Sequence, residues 1–175
     1  MENLLLRNLT VNDAQNYLSF AQSIINEEIF SITSIDDFKY TVEEEKEWIE
    51  SVLKNKNNIC LIAEYQNKII GNINILQYKE KKLAHVADLT INIDKKFRNK
   101  GIGKSMFEAA FLRVKDNNNI KKITLQVFEN NYRAIHLYEL NGFKKEGLLI
   151  NQICINNHFF NLVLMGININ SETFS

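Results

Sequence analysis

One short stretch of the chain combines basic side chains with two closely spaced glycines. It runs Arg98-Asn99-Lys100-Gly101-Ile102-Gly103 and is followed by Lys104. The stretch lies between an apolar, strand-like run and a helical pattern, so its backbone N–H groups would converge at a helix N-terminus, where negative charge is stabilised. Glycine also lets the backbone approach a ligand closely. The spacing predicts a phosphate site, and a plain strand-to-helix turn is the alternative.

Two other kinds of phosphate-binding loop do not fit this spacing. A Walker loop requires G-x-x-x-x-G-K-[ST], which the stretch lacks. A dinucleotide fingerprint requires G-x-G-x-x-G, and the position of its third glycine is occupied here by Met106. A phosphate bound at this loop would therefore belong to another class of ligand.

A second segment, residues 131–143, predicts a short helix with a polar stripe. Asn131, Ala134, Ile135 and Tyr138 follow the i, i+3, i+4, i+7 spacing and share one helical face. Asn130 or Asn131 is the expected N-cap, and Gly142 is expected to end the helix. The stripe brings an amide and a phenol together, although a core tyrosine with its hydroxyl bonded to a neighbour would give the same pattern.

The order of predicted elements is β, α, α, β, β, β, α, β, α, β, β. One hairpin is expected to turn at Gln66-Asn67 and the last one around Asn156-Asn157, with the last two strands at about 143–149 and 159–167. Thr10 with Asp13 is expected to cap a first helix that runs to about Ile29, and Thr41 with Glu44 forms a capping box for a second. The acidic run 43–45 is taken as the exposed face of that second helix. Residues 85–94 form an alternating strand with Asp88 on its polar face.

The two segments resemble the GNAT superfamily of acetyl-CoA-dependent N-acetyltransferases. The resemblance rests on R-x-x-G-x-G followed by N-x-x-A-x-x-x-Y-E-x-x-G-F. It implies an α/β (α+β) GNAT fold, in which a mixed, mostly antiparallel central sheet of about seven strands carries about four helices on its two faces. It also implies acetyl-CoA as cofactor, with coenzyme A as product.

The resemblance assigns roles to residues of both segments. Tyr138 would stand beside the coenzyme A sulfur and protonate the departing thiolate, while Asn131 would contact the pantetheine arm. Backbone N–H groups of the strand preceding the loop, around residues 89–93, would bind the thioester carbonyl. The predicted cofactor-binding residues are Ile91, Asn92, Ile93, Arg98, Asn99, Lys100, Gly101, Ile102, Gly103, Lys104, Asn131 and Tyr138.

Asp88 is the predicted base. The attacking amine must be neutral, and a free alkyl ammonium has a pKa of about 10, so a base or a proton-carrying water is required. Asp88 matches the acidic position of a similar H-x-A-[ED]-L stretch in relatives. As alternatives, it could act through water, bind the amine only, or serve as a structural carboxylate.

Composition favours one domain over residues 1–170, with a short tail at 171–175. Residues 1–80 hold 7 Lys/Arg against 13 Asp/Glu, a balance of −6, and residues 81–175 have the balance +6. The polarity suggests a polyanionic cofactor on the second half and a cationic acceptor on the first, unless it is ordinary solvated charge.

Several classes of partner are disfavoured by the sequence. Nucleic acid is disfavoured because there is no basic stripe with interleaved aromatics, and no apolar run approaches the length of a membrane helix. His85, His136 and His158 lack the spacing of metal ligands, so no metal site is expected. A cytoplasmic protein is expected, and a homodimer is possible.

The sequence therefore predicts an N-acetyltransferase that transfers the acetyl group of acetyl-CoA directly to a primary amine. The N- and C-terminal segments resemble the branch near ribosomal-protein-alanine, phosphinothricin and spermidine acetyltransferases. The acceptor could thus be a polyamine, an amino acid, an antibiotic or a peptide N-terminus. The alternative is a GNAT-fold module that binds acyl-CoA for regulation without turning it over.

Overall fold

The computed structural model describes residues 3–27, 30–116 and 119–169 of the 175-residue chain. The strands are β1 (Leu5–Asn8), β2 (Ile59–Tyr65), β3 (Lys68–Gln77), β4 (Val86–Ile93), β5 (Lys122–Phe128), β6 (Lys144–Ile155) and β7 (His158–Asn168). The helices are α1 (Ala14–Ile25), α2 (Val42–Leu53), α3 (Ile102–Asp116) and α4 (Tyr132–Leu140). The predicted order of elements is confirmed.

All seven strands join one sheet in the order β1-β2-β3-β4-β5-β7-β6. The pairing of β4 with β5 is parallel, and the other pairings are antiparallel. A parallel pair needs a crossover connection, and α3 supplies it. The glycine stretch therefore lies in a βαβ unit, as the sequence predicts, and the mixed, mostly antiparallel sheet is confirmed.

Two tight turns connect the hairpins. Gln66 and Asn67 have φ of 51° and 60°, and Asn156 and Asn157 have φ of 50° and 63°. Two consecutive residues with positive φ are typical of the type I′ turn, whose twist matches that of the flanking strands. Both hairpins were predicted at these positions.

Each face of the sheet packs against its own helices. On one face, α3 and α4 cover a cluster that includes Met106 and Phe107 of α3 and Ile123 of β5. On the other face, α1 and α2 cover a smaller cluster around Tyr17 and Ile49. Residues of β4 alternate between these faces, so that Ala87 and Leu89 belong to the α3 side.

The first helix and the last hairpin differ in length from the prediction. A turn of 3₁₀ helix over Val11–Asp13 precedes α1, which ends at Ile25, and the predicted end near Ile29 lies outside the described residues. Strand β6 continues to Ile155 because a register irregularity after Leu149 lets pairing with β7 resume. The predicted tail 171–175 also lies outside the described residues.

The acidic run on α2 is not the uniform exposed face that was expected. Glu44 belongs to the capping box, where its carboxylate accepts from Thr41 N at 2.7 Å. Glu45 is buried, because it lies one helical turn before the buried Ile49 and faces the same core. Among the three, only Glu43 remains an exposed carboxylate outside the cap.

None of the helices in the described part of the chain combines the length and the apolarity required to cross a membrane.

Candidate active site

The sheet opens between β4 and β5. The two strands pair only at Val86↔Lys122, Ala87↔Ile123 and Asp88↔Thr124, although β4 continues to Ile93 and β5 to Phe128. Beyond Asp88 the strands diverge, and a cleft of about 790 Å³ opens there. Side chains from both faces of the sheet line the cleft, among them Tyr17 of α1 and Leu137 of α4. It therefore passes between the strands.

The backbone of β4 offers hydrogen-bonding groups to this cleft. Tyr78 N donates to Val86 O at 3.1 Å, and Asp94 N donates to Ile70 O at 2.9 Å, so the even-numbered residues of β4 turn their backbone toward β3. The odd-numbered residues turn theirs toward β5. Ile91 and Ile93 lie beyond the last pair with β5, and their backbone groups face the cleft.

Asn92 was predicted in the same set of backbone donors, and the ladder argues against that use. Its backbone is turned toward β3 by the alternation just described. Its side chain lies on the α1 face, where Nδ2 donates to Asn72 Oδ1 at 3.1 Å. Asn92 lines the cleft through this side chain rather than as a donor between the strands.

The glycine loop closes one end of the cleft. Asn99 and Gly101 have φ of 61° and 79°, and Ser105 N donates to Gly101 O at 3.1 Å, which marks the first turn of α3. A Cβ built on Gly101 would meet no atom within 4 Å, so the backbone there is open to an approaching ligand. Both features fit an anion site at the N-terminus of a 15-residue helix.

Gly103 has a packing reason to be glycine. A Cβ at this position would lie 3.1 Å from Leu137 Cδ2 and 3.3 Å from Ile93 Cδ1. The missing side chain therefore allows α3 to pack closely against α4 and β4. Gly103 also lines the cleft, and its contact with a cofactor stays a prediction.

The basic residues of the loop have distinct surroundings. Lys104 lines the cleft, whereas the Lys100 ammonium lies 5.2 Å from the centre of the Phe97 ring and is not part of the cleft wall. The Arg98 guanidinium is engaged within the protein, since it pairs with Glu27 at 2.5 Å and donates from Nε to Ile93 O at 2.8 Å. Arg98 thus ties the end of α1 to the end of β4.

Arg133 is a cleft residue to which the sequence interpretation gave no role. It belongs to the segment 131–143 and lines the cleft beside Arg98. Burial, and then the positive charge of Arg98, lower the pKa of Arg133. Two neighbouring guanidiniums with Glu27 as counter-ion leave local positive charge, which suits an anionic ligand. The sequence feature that could have identified Arg133 is its position in the N-x-R-A stretch of residues 131–134.

Tyr138 and Asp88 approach the cleft from opposite faces of the sheet. Tyr138 is 7% exposed, and its ring packs edge to face against Phe107 with centroids 6.1 Å apart. Burial, and then the charge of Asp88, raise the pKa of Tyr138 to about 12. Burial raises the pKa of Asp88 to about 6. Both residues line the cleft where β4 and β5 separate.

The environment of Tyr138 bears on the alternative that it is a core residue only. Its ring belongs to the core, but within the described residues no side chain or backbone group hydrogen-bonds its hydroxyl. The alternative required a hydrogen bond from the hydroxyl to a neighbour, and the described residues provide none. Asn131 acts as N-cap of α4, because its Oδ1 accepts from Ala134 N at 3.2 Å, and it lines the cleft.

Neither a metal nor a covalent cysteine route has support in the described residues. Across ranges 3–27, 30–116 and 119–169, no three His, Cys, Asp or Glu side chains gather as metal ligands would. Cys60 is buried, and burial raises the pKa of its thiol to about 12, so a thiolate is disfavoured. Cys154 is exposed and does not line the cleft.

Several known proteins are similar to this chain. An acetyltransferase of the GNAT family from Streptococcus pneumoniae is 29% identical, with a TM-score of 0.90 over 96% of this chain and 100% of that one. Spermidine N-acetyltransferase from Vibrio cholerae, solved with CoA and spermine, is 22% identical with a TM-score of 0.79 and full coverage of both chains, which shows a shared fold. L-amino acid N-acetyltransferase from Escherichia coli is 26% identical over 100 residues, which are 57% of this chain and 62% of that protein.

The aligned stretch thus spans less than two thirds of the length of that curated relative. Residues 24–143 match the Acetyltransferase (GNAT) family. They include the glycine loop and the helix that carries Tyr138. This match covers more than half of the chain. The splayed parallel pair, the glycine loop at the start of α3 and the tyrosine of α4 are consistent with it, and the chain belongs to the GNAT acetyltransferase family.

Proposed function

We propose that this protein transfers the acetyl group of acetyl-CoA directly to a primary amine. The observation that supports this most strongly is the cleft between β4 and β5, which has an anion-binding loop at one end and the pair Tyr138 and Asp88 along its length. An acceptor and a cofactor held in one cleft would react without diffusing together, which supplies much of the rate of such a transfer.

The residues present fit acetyl-CoA. The open backbone at Gly101, the N-terminus of α3, and the side chains of Lys104 and Arg133 would receive its phosphates. Asn131 also lines the cleft and would contact the pantetheine arm. Acetyl-CoA bound there would supply an acetyl group activated as a thioester. The backbone N–H groups of Ile91 and Ile93 are suitable donors to its carbonyl.

Asp88 is the proposed base. With a pKa of about 6, its carboxylate is charged at neutral pH, so it attracts an ammonium and accepts its proton directly or through water. A base whose pKa lies near the working pH is well matched to such a transfer. The nitrogen then attacks as a neutral amine, forming the N–C bond as the C–S bond breaks.

Tyr138 is the proposed acid. Its pKa of about 12 keeps the phenol protonated throughout the neutral range. The hydroxyl has no partner among the described residues, so its proton is available to the departing thiolate. The presence of an acid and a base in the same cleft favours catalysis over a purely regulatory acyl-CoA-binding module.

The test combines binding with turnover. Calorimetry with acetyl-CoA would be followed by measurement of thiol release over polyamines, amino acids, aminoglycosides and short peptides. We expect binding, and acetylation of at least one class, with large losses of turnover in Tyr138→Phe and Asp88→Asn. Tyr78→Phe, outside the cleft, is the matched control. Binding without turnover of any acceptor would support the regulatory module, and no binding would remove the cofactor assignment.

A further inference from the structure

Neutral polar side chains from three elements form a network on the α1 face of the cleft. The Tyr17 hydroxyl accepts from Asn72 Nδ2 at 3.0 Å and from Asn74 Nδ2 at 2.9 Å. Asn92 Nδ2 in turn donates to Asn72 Oδ1 at 3.1 Å. Tyr17, Asn72 and Asn92 line the cleft, so the network connects its wall to the interior under α1.

This network lacks two partners. A phenol has one proton to donate and two lone-pair sites, and both lone-pair sites of Tyr17 are used. Within the described ranges no oxygen accepts the Tyr17 proton, and Asn74 Oδ1 is buried without a donor. Tyr17 and Asn74 are each 6% exposed. Burial raises the pKa of Tyr17 well above its usual range, so the hydroxyl keeps its proton to donate.

Free negative charge is scarce in the same cleft. Of the described residues that line it, Glu27 and Asp88 carry carboxylates, and Glu27 is paired with Arg98. A polyamine with several ammonium groups would therefore meet one free carboxylate there. A neutral polar group would instead meet Thr90 and the Tyr17 network, which share the Asp88 face of β4 and β3. Asp88 and Asn92 are four residues apart, roughly 13 Å along the strand.

Aromatic rings stand beside this polar surface. Phe20 of α1 and Phe128 of β5 line the cleft, and the Phe30 ring contacts Phe128 edge to face with centroids 5.8 Å apart. An apolar group of the acceptor would contact these rings while its polar atoms face the network. The cleft thus offers one carboxylate, one neutral donor surface and one apolar wall.

We propose that the acceptor is an amine that carries a neutral hydrogen-bonding group, such as an amino-acid amide with an apolar side chain, and that Tyr17 positions it by donating its proton to that group. The inference rests on the proposed function and narrows its acceptor. Because Asp88 lies well along β4 from the pairs that hold the network, it would receive the amine through a bridging water. Tyr17 would receive the carbonyl oxygen, and the phenyl rings the side chain. Tyr17 is a positioning residue, since it touches the acceptor away from the reacting atoms.

The experiment compares L-phenylalaninamide with 2-phenylethylamine, which lacks the carboxamide. Because the two amines differ in basicity, the ratio of kcat/KM in the wild type to that in Tyr17→Phe is taken for each. We expect a loss of about tenfold for the amide, as for one hydrogen bond, and less than twofold for 2-phenylethylamine. The acetyl-CoA KM should be unchanged, and the control Tyr78→Phe should affect neither amine.

Equal losses for both amines would overturn the inference, as would a higher kcat/KM for spermidine than for the amide. If thermal melting shows that Tyr17→Phe does not fold, the isosteric Thr90→Val takes its place with the same expected selectivity. Calorimetry with acetyl-CoA separates the two proposals. Binding without acetylation of the three amines overturns this inference alone, and absence of binding overturns the proposed function with it.

Discussion

Tyr138 is a core residue whose hydroxyl group is not used in packing. Its ring packs against Phe107 and Phe143, while its hydroxyl has no partner in the described part of the chain. Packing fixes the ring, so the hydroxyl is oriented without a hydrogen bond that would compete for its proton. As the proposed acid, such a group would contribute to catalysis when the thiolate departs, and little to binding before that step.

We therefore expect Tyr138→Phe to lower kcat by about 10²–10⁴-fold, the range of general acid catalysis, with a much smaller change in the acetyl-CoA KM. The measurement is steady-state kinetics at saturating acceptor, under conditions where chemistry limits the rate. The alkaline limb of the pH profile should also change. Near-normal kcat in Tyr138→Phe would show that solvent or the amine itself supplies the proton.

At Asp88 the expected signature is a pH dependence. Its pKa of about 6 means that the carboxylate is lost as pH falls through 6, so kcat/KM for the acceptor should fall there. In a plot of log kcat/KM against pH, the slope below about pH 6 should be one unit steeper in the wild type than in Asp88→Asn. Glu80→Gln, an exposed carboxylate away from the cleft, is the control and should keep the steep limb. Identical slopes in wild type and Asp88→Asn would assign Asp88 to structure.

At the scale of elements, the close approach of α3, α4 and β4 controls the shape of the cofactor end. Gly103 lies where these three meet, with Leu137 and Ile93 at 3.1 and 3.3 Å from a would-be Cβ. Both neighbours also line the cleft. A side chain at 103 would therefore shift the cleft wall and the helix packing together.

Gly103→Val should lower both the melting temperature and the affinity for acetyl-CoA, with an overpacking cost of about 1–3 kcal/mol. Gly103→Ala should cost less, because the nearest atom is the flexible end of a leucine side chain. Differential scanning calorimetry and titration with acetyl-CoA measure the two effects. Gly101→Ala is a useful contrast, since its cost would come from φ of 79° rather than from contact. Unchanged stability in Gly103→Val would contradict the packing argument.

On the scale of the whole molecule, several acidic side chains of the first half are used in internal contacts. Asp13 and Glu64 both bind Arg7, Glu27 binds Arg98, and Glu44 caps α2. The basic side chains that line the cleft come from the second half. The charge asymmetry therefore agrees with an anionic cofactor, and the acidic run of α2 is not part of the cleft.

The Arg7 contacts join β1, β2 and the start of α1, and they make stability dependent on pH. Arg7 binds Asp13 at 2.7 Å and Glu64 at 2.6 Å, and its hydrogen bond lowers the pKa of Asp13 to about 2. A carboxyl whose pKa is depressed by folding stabilises the protein above its unfolded pKa of about 4, and this stabilisation is lost as pH falls through 2.

Asp13→Asn should thus lower the free energy of unfolding at neutral pH by roughly 2 kcal/mol, and the difference should shrink toward pH 2. Urea unfolding at several pH values measures it. Asp36→Asn, an exposed carboxyl outside this network, is the control and should show a far smaller change. A difference that does not depend on pH would mean that packing, rather than charge, accounts for the effect.

Local features of the fold were predictable from the sequence. The capping box of Thr41 and Glu44, the hairpin turns and the Asn131 cap depend on residues at most a few positions apart, whose dihedral angles and hydrogen bonds are set locally. The glycine loop and the tyrosine helix were recognisable for the same reason. So was the side of β4 on which Asp88 lies, because side chains alternate along a strand.

Tertiary structure decided what required distant parts of the chain to meet. Arg98 binds Glu27, and Gly103 packs on Leu137. The Tyr17 hydroxyl accepts hydrogen bonds from side-chain amides 55 and 57 residues away. No local pattern specifies such partners, since they follow from the strand order and from the divergence of β4 from β5. The sequence by itself therefore determined the elements, the family and the candidate chemical groups. Packing between those elements decided which groups face the cleft, because burial and hydrogen bonding are properties of the folded chain.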